Sequence, residues 1–344
     1  MPDWEKQLNG SWKIKIGCDN MGFKRYFVLI GFILLAYILY SIDLGKLIAI
    51  VSNANAFLLS LTLVLFAANL SLKALKWKTI IKANGLEYEF SKCFSGWASG
   101  FFISIFTPAR IGDFARSLYL SKDKKIALGE AFSTVLIERI IDIALILLLG
   151  FVSVLIFALV FGKEIISLQI LGIVIAIFAV LVIFFLKKKY VKIILKPFFN
   201  MLIPEQHKEK MQLNFSAFYG SIQKLKSRKL LVAKATIIGL LTWIITIVFA
   251  YLIIQALNLN VPIYYCFVLV PIIGLVDLIP LSISGLGTRE AVAILLLSFY
   301  SISPENAVAF SLLYYALGYM PPAITGFYFL TKRPINIKKF TVEE

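Results

Sequence analysis

An all-α polytopic membrane protein, with six to eight transmembrane helices arranged as an inverted repeat containing two re-entrant or broken helices, is the fold this sequence predicts. Three observations carry that expectation. The 344 residues are 60% hydrophobic and only 16% charged, with a mean hydropathy of +0.87, whereas soluble domains are apolar over about half their length. Long apolar runs recur along the whole chain. Two of them run into a polar break, "FTPARIGDFARSLY" at 106–119 and "SISGLGTREAVAILLL" at 282–297.

A helix needs about 20 residues to cross ~30 Å of hydrocarbon. Apolar stretches of that order lie at 26–42, 54–75, 136–161, 165–186, 231–257 and 306–330, giving six crossings. Two more, 93–107 and 263–283, lead into the breaks, and shorter helical segments follow at 112–121 and 288–300. The count therefore lies between six and eight, according to whether each break is re-entrant or a loop.

Basic residues orient the chain. Lys6, Lys13, Lys15, Lys24 and Arg25 precede the first span, Lys73, Lys76, Lys78 and Lys82 follow the second, and Lys332, Arg333, Lys338 and Lys339 end the chain. Residues 187–230 carry eleven Lys/Arg, while the opposite connections hold only Lys46 and Lys163. The expected organisation is a cytoplasmic tail (1–25), a first membrane half (26–186), a basic cytoplasmic loop (187–230), a second membrane half (231–331) and a cytoplasmic tail (332–344). Within the loop, Met211, Phe215, Phe218, Ile222 and Leu225 recur at helical spacing among lysines, as in an amphipathic helix lying on a membrane surface. The polar first 24 residues lack the apolar core of a signal peptide, so the first helix is expected to be retained.

An internal repeat is visible in three weak matches taken in order. "KANGLEYEFSKCF" at 82–94 meets "QALNLNVPIYYCF" at 255–267 at an offset of 173, "TPARIGDFA" meets "SGLGTREAV" at 177, and "EAFSTVL" meets the segment around "AFS" at 178. The helix before the first break runs outside to inside and its counterpart, 231–257, runs the other way. Such inverted pairs with interrupted helices are a common plan of secondary transporters, whose half-helix N-termini offer N–H groups to anions.

The charged positions of the breaks are the candidate site. Pro108 stops a helix, Gly112 permits a tight approach, and Arg110, Asp113 and Arg116 cluster beside them. In the second break Gly285 and Gly287 loosen the chain, Thr288 is the expected N-cap, and Arg289 and Glu290 open a new helix. Arginines beside helix N-termini suit phosphate, since guanidinium binds its oxygens as a bidentate fork; anchoring at the headgroup layer is the alternative for Arg110 and Arg116. "IERIID" places Glu138 and Asp142 one turn apart, with Arg139 three residues from Asp142. Charges within a span require a partner or a cavity, so a function or a salt bridge to a break arginine is expected. Asp277, alone between Pro271 and Pro280, is either a proton or cation site or an arginine's buried partner. Gly318, Pro321 and Pro322 weaken the helix in "LLYYALGYMPPAITG", through gating or packing.

Composition narrows the chemistry. Three cysteines without CxxC spacing and a single histidine, His207, argue against a disulfide framework, a zinc site and Ser-His, Cys-His or His-metal chemistry, and no cofactor is expected. The net charge of +16 fits cytoplasmic loops against anionic lipid, not nucleic acid.

The order "TPARIGDFAR", "ERIID", "GLGTREA" resembles the flippase-like membrane domain of lysylphosphatidylglycerol synthetases, over about residues 20–335. The first motif of that family reads Pro-x-Arg-x-Gly-Glu, matched by Pro108, Arg110, Gly112 and Asp113, with Asp keeping the charge on a shorter chain. The second is matched by Gly285, Gly287, Arg289 and Glu290. The synthetases add a soluble aminoacyl-transferase domain for which these residues leave no room, so the resemblance implies the translocating part. Three classes follow: a translocator of an anionic or phosphate-headed lipid, favoured over an enzyme; an intramembrane enzyme acting on polyprenyl phosphate or glycolipid; and a membrane partner of a separate glycosyltransferase or synthetase. The expected partner is membrane lipid, with a homo-oligomer or a separate lipid-modifying enzyme left open.

Overall fold

A computed structural model describes residues 22–165, 228–277 and 285–334, together with 218, 220, 221, 224 and 227. The span expected at 165–186 and most of the 187–230 loop lie outside them. Every described element is helical: α1 (Gly22–Ser41), α2 (Leu44–Ser52), α3 (Ala56–Ala83), α4 (Phe90–Ile105), a 3₁₀ segment (Pro108–Phe114), α5 (Ala115–Lys124), α6 (Leu128–Ile165), α7 (Lys229–Ala256), α8 (Ile263–Asp277), α9 (Thr288–Ser298), α10 (Pro304–Gly318) and α11 (Met320–Lys332).

Four helices among the described residues are long and apolar enough to cross a membrane: Ala56–Ala83, Leu128–Val160, Lys229–Ala256 and Pro304–Lys332. A fifth results if α1 and α2, bent by 91°, count as one broken span. The apolar window of α3 is only 17% buried within the protein, and Tyr40, Phe57 and Leu159 stand exposed, so these faces require lipid instead of water. The two stretches leading into the breaks appear as α4 and α8, and the short segments after them as α5 and α9.

Local chemistry sets the helix ends. Asp43 and Asn55 cap α2 and α3 by accepting the Lys46 and Leu58 N–H groups at 3.0 and 3.2 Å. Ser303, with Pro304 behind it at the first helical position, caps α10. At their C-termini, α3 and α7 finish alike. Gly85 (φ +88°) and Asn258 (φ +53°) are both left-handed, and Leu86 N–H bonds Ile81 C=O as Leu259 N–H bonds Ile254 C=O, 173 residues on. The short helices repeat the pattern: Lys125 (φ +51°) and Ser301 (φ +55°) follow α5 and α9, closed by Ile126→Ser121 and Ile302→Leu297 bonds.

Packing follows the same correspondence. The 28-residue helices α3 and α7 lie against each other, joined near their midpoints where Asn69 donates to Thr242 C=O (3.2 Å) and Thr246 Oγ1 (2.9 Å). Helix α4 packs on α11 and α8 on α6, while α5 packs on α6 and α9 on α10. The apolar core divides accordingly, one cluster gathering Phe249, Ile253, Leu269, Leu297 and Phe310, a second Trp77, Cys93, Trp97, Leu120 and Val135. Helix α4 approaches α11 closely enough that a Cβ on Gly326 would lie 2.7 Å from the Ala98 carbonyl carbon.

Candidate functional site

The first break is a turn pressed against the helix it leaves. Pro108 follows the end of α4, and the Gly112 N–H donates to Thr107 Oγ1 at 2.8 Å. A Cβ on Gly112 would lie 2.5 Å from the Ile103 carbonyl carbon, so only glycine fits. Arg110 holds φ +55°, a left-handed conformation that costs a non-glycine residue about 1–2 kcal/mol. In it, the guanidinium donates to Tyr319 Oη at 3.0 Å.

Behind this turn lies a buried charge network. Lys76 on α3 reaches both Glu138 (3.2 Å) and Asp142 on α6. Arg116 on α5 lies 2.5 Å from Glu138, an ion pair without hydrogen-bond alignment, and its guanidinium faces the rings of Trp77 (4.9 Å) and Trp97 (6.0 Å). Arg139 pairs with Asp113 at 2.8 Å and touches Asp142 at 3.9 Å. Glu138 and Asp142 share one face as their spacing implied, and both take Lys76. Arg116 and Glu138 are fully buried, so Arg116 is not an interfacial anchor. Lys76 is likewise interior, because α3 continues to Ala83 instead of ending near residue 75.

The second break is built on glycines that side chains cannot replace. Gly285 and Gly287 have φ +81° and +85°, and a Cβ on Gly285 would fall on the Asp277 carboxylate and 2.7 Å from Arg289 Nη2. The N-cap of α9 is Gly287, not Thr288, whose hydroxyl donates to Gly285 C=O at 3.2 Å. Glu290 supplies the missing cap by accepting the Gly287 N–H (2.5 Å) and also accepts the Ser311 hydroxyl (2.8 Å). Arg289 is fully buried; it pairs with Asp277 at 2.9 Å and lies over the rings of Tyr319, Tyr315 and Tyr314 at 4.6, 5.5 and 5.6 Å. Asp277 is thus an arginine's buried partner.

Tyr319 joins the breaks. Its hydroxyl accepts from Arg110 and donates to Asp277 Oδ2 at 2.9 Å. A cavity of about 390 Å³ opens beside it, lined by Lys73, Arg110, Arg139 and Asp142 from the first half and Trp243 and Asp277 from the second. Of the residues read from the sequence, Arg110, Arg139, Asp142 and Asp277 reach this lining. Asp113, Arg116, Glu138, Arg289 and Glu290 support it from behind, and Gly285 and Gly287 shape the turn. Lys73 and Tyr319 were not among those site residues. Asn69, Lys73 and Lys76 recur at spacings of four and three, one polar face on an apolar helix, which is the signal that marks them.

Charge in the cavity is unevenly matched. Arg139, Asp142 and Asp277 all belong to ion pairs. Among the described residues, Lys73 and Arg110 have no carboxylate oxygen within 4.0 Å; Lys73 lies over the Trp97 ring at 5.3 Å and Arg110 over that of Tyr319 at 5.6 Å. Two cations held by aromatic rings and a hydroxyl in a low-dielectric cavity have the chemistry that would suit an anion. No three His, Cys, Asp or Glu side chains among the described residues come together as a metal would need.

The chain is similar to archaeal membrane proteins. A UPF0104 membrane protein of Methanocaldococcus jannaschii is 28% identical over 322 residues, covering 91% of this chain and 96% of the relative. A second from that organism is 29% identical over 226 residues, 65% of this chain and 91% of the relative. Another, from Methanothermobacter thermautotrophicus, is 23% identical over 301 residues, 82% and 87% of the two chains. The family model for the lysylphosphatidylglycerol synthase TM region matches residues 26–326, nearly the whole described body, and the chain belongs to that family.

Proposed function

We propose that this protein is a lipid translocator of the cell membrane that carries an anionic or phosphate-headed lipid past the central cavity. The observation that carries this reading is the pair Lys73 and Arg110, two cavity cations with no carboxylate within ion-pair distance among the described residues, in an interior where the neighbouring charges are paired. An unneutralised charge at membrane depth is costly unless a ligand or water compensates it, and an anionic headgroup does so.

The architecture suits transport. The equal lengths of α3 and α7, the matched C-caps 173 residues apart, and the reciprocal packing of α4 on α11 and α8 on α6 support an inverted repeat. In that reading α4–α5 and α8–α9 are re-entrant hairpins entering from opposite sides. With six crossings, counting the one expected at 165–186, both termini are cytoplasmic. An impermeant maleimide applied to intact cells is therefore expected to leave a cysteine at Lys332→Cys unlabelled; labelling from outside overturns the orientation.

Transport itself is tested by headgroup exposure in the outer leaflet at matched membrane abundance. Arg110→Ala and Lys73→Ala are each expected to reduce it by about 10–100-fold, the equivalent of losing a charged hydrogen bond worth about 1.5–3 kcal/mol. Arg110→Lys retains charge but loses the fork and falls between. Wild-type exposure in both alanine variants sinks the proposal.

A further inference from the structure

Among the described residues, every carboxylate of the cavity and the two breaks is engaged within the protein. Asp142 takes Lys76 and Arg139, Asp113 takes Arg139, Glu138 takes Lys76 and Arg116, and Asp277 takes Arg289 and the Tyr319 hydroxyl. Glu290, fully buried, caps α9 through the Gly287 N–H and accepts from Ser311. These five acids stand against six cations, and the two without a close carboxylate, Lys73 and Arg110, both line the cavity. Residues 165–186 and 278–284 contain no Asp, Glu, Lys or Arg, so they bring no further charge to the membrane interior. The site therefore carries a formal excess of one positive charge.

That balance selects among headgroups. An ammonium group entering the cavity meets Lys73 and Arg110, and the only lining acids, Asp142 and Asp277, already hold cations of the protein, so its lost hydration goes uncompensated. Nor is a lining carboxylate left over to carry a proton or a metal cation across with the lipid. Resting on the translocator reading, we infer that the cargo is a lipid of net negative charge without an ammonium group, and that it crosses with no compensating cation. Each crossing then moves negative charge, and the membrane potential acts on it directly. In a cell whose interior is negative, that work favours outward movement.

Full-length protein in phosphatidylcholine vesicles tests this, with acyl-labelled fluorescent phosphatidylglycerol and phosphatidylethanolamine as probes and an impermeant quencher reporting the leaflet. Phosphatidylglycerol is expected to cross at least about tenfold faster than phosphatidylethanolamine, the equivalent of about 1.4 kcal/mol. Lys73→Ala and Arg110→Ala are expected to remove that advantage. An imposed potential of about 100 mV is expected to enrich phosphatidylglycerol in the positive leaflet about 50-fold, the equivalent of about 2.3 kcal/mol on one charge. An imposed pH gradient is expected to leave its distribution as it is in protein-free vesicles. Phosphatidylethanolamine crossing as fast, or phosphatidylglycerol following the pH gradient and not the potential, overturns the inference; if crossing still depends on Lys73 and Arg110, the translocator reading stands. Neither probe crossing faster than in protein-free vesicles, or rates unchanged in both alanine variants, sinks both.

Discussion

Glu138→Ala is expected to destabilise the protein by about 3–5 kcal/mol, the cost of removing one partner from a buried ion pair. The carboxylate is fully buried and faces two cations, Arg116 at 2.5 Å and Lys76 at 3.2 Å. Alanine leaves Lys76 with Asp142, but it leaves Arg116 between Trp77 and Trp97 with no carboxylate among the contacts described. Ring faces return about 2 kcal/mol when desolvated, less than the lost pair. Net stability of 5–15 kcal/mol is typical of folded proteins, so a loss of this size depletes the folded population and lowers the unfolding temperature by about 10 °C. Thermal unfolding in nanodiscs measures it. The double variant Arg116→Met with Glu138→Met removes both charges together and is expected to recover most of the loss. An unfolding temperature for Glu138→Ala within about 2 °C of wild type, less than 1 kcal/mol by the same scaling, shows that Glu138 does not hold Arg116.

Helix breaks were legible because proline and glycine act locally. Pro108 and Gly112 interrupt an apolar run whatever surrounds them, and α4, the 3₁₀ segment and α5 fall where that interruption places them. Glu138 and Asp142 were legible as charges in need of a function or a partner because residues one helical turn apart share a face; Glu138 meets a break arginine, Arg116, while Asp142 takes Lys76 and Arg139. The pairing itself was not. Arg116 takes Glu138 and Arg139 takes Asp113, an exchange that depends on how α5 crosses α6. Lys73 and Lys76 resembled interfacial lysines because they follow an apolar stretch of the expected length, and only the continuation of α3 to Ala83 brings them inside. Thr288 has a capping side chain, yet Gly287 holds the N-cap because Gly285 and Gly287 both need positive φ, and Glu290 caps from within the helix. The position of Tyr319 between Arg110 and Asp277 comes from the α10–α11 junction, where the last span is interrupted beside Gly318 and Pro321.

The two halves share helix lengths and caps but not charge. The first supplies Lys73, Lys76, Arg110, Arg116 and Arg139, whereas the described part of the second places one arginine, Arg289, near the cavity. The match between 82–94 and 255–267 falls on the left-handed residues Gly85 and Asn258 that end α3 and α7, so the likeness of these two segments lies in where the chain turns. Of the two cavity cations without a close carboxylate, Arg110 belongs to the first break and Lys73 to α3, and the second break contributes Asp277, linked to Arg110 through Tyr319.

Asp277→Ala is accordingly expected to abolish translocation and to lower stability by about 3–5 kcal/mol, since it removes the carboxylate that a fully buried Arg289 ion-pairs with. The functional loss has a separate route. Asp277 accepts from Tyr319, whose hydroxyl in turn accepts from Arg110; without the acid that hydroxyl is free to rotate and Arg110 loses the contact that holds it at the cavity. Tyr319→Phe separates the two effects. It removes the link while leaving the Asp277–Arg289 pair and the ring under Arg289, so stability is expected to stay within about 1 kcal/mol, the net worth of an ordinary hydrogen bond, while outer-leaflet exposure falls. Measuring unfolding temperature and headgroup exposure for both variants decides between coupling and simple structural damage. If Tyr319→Phe transports as wild type while Asp277→Ala only loses stability, the second break is a scaffold for α9 and does not act on Arg110.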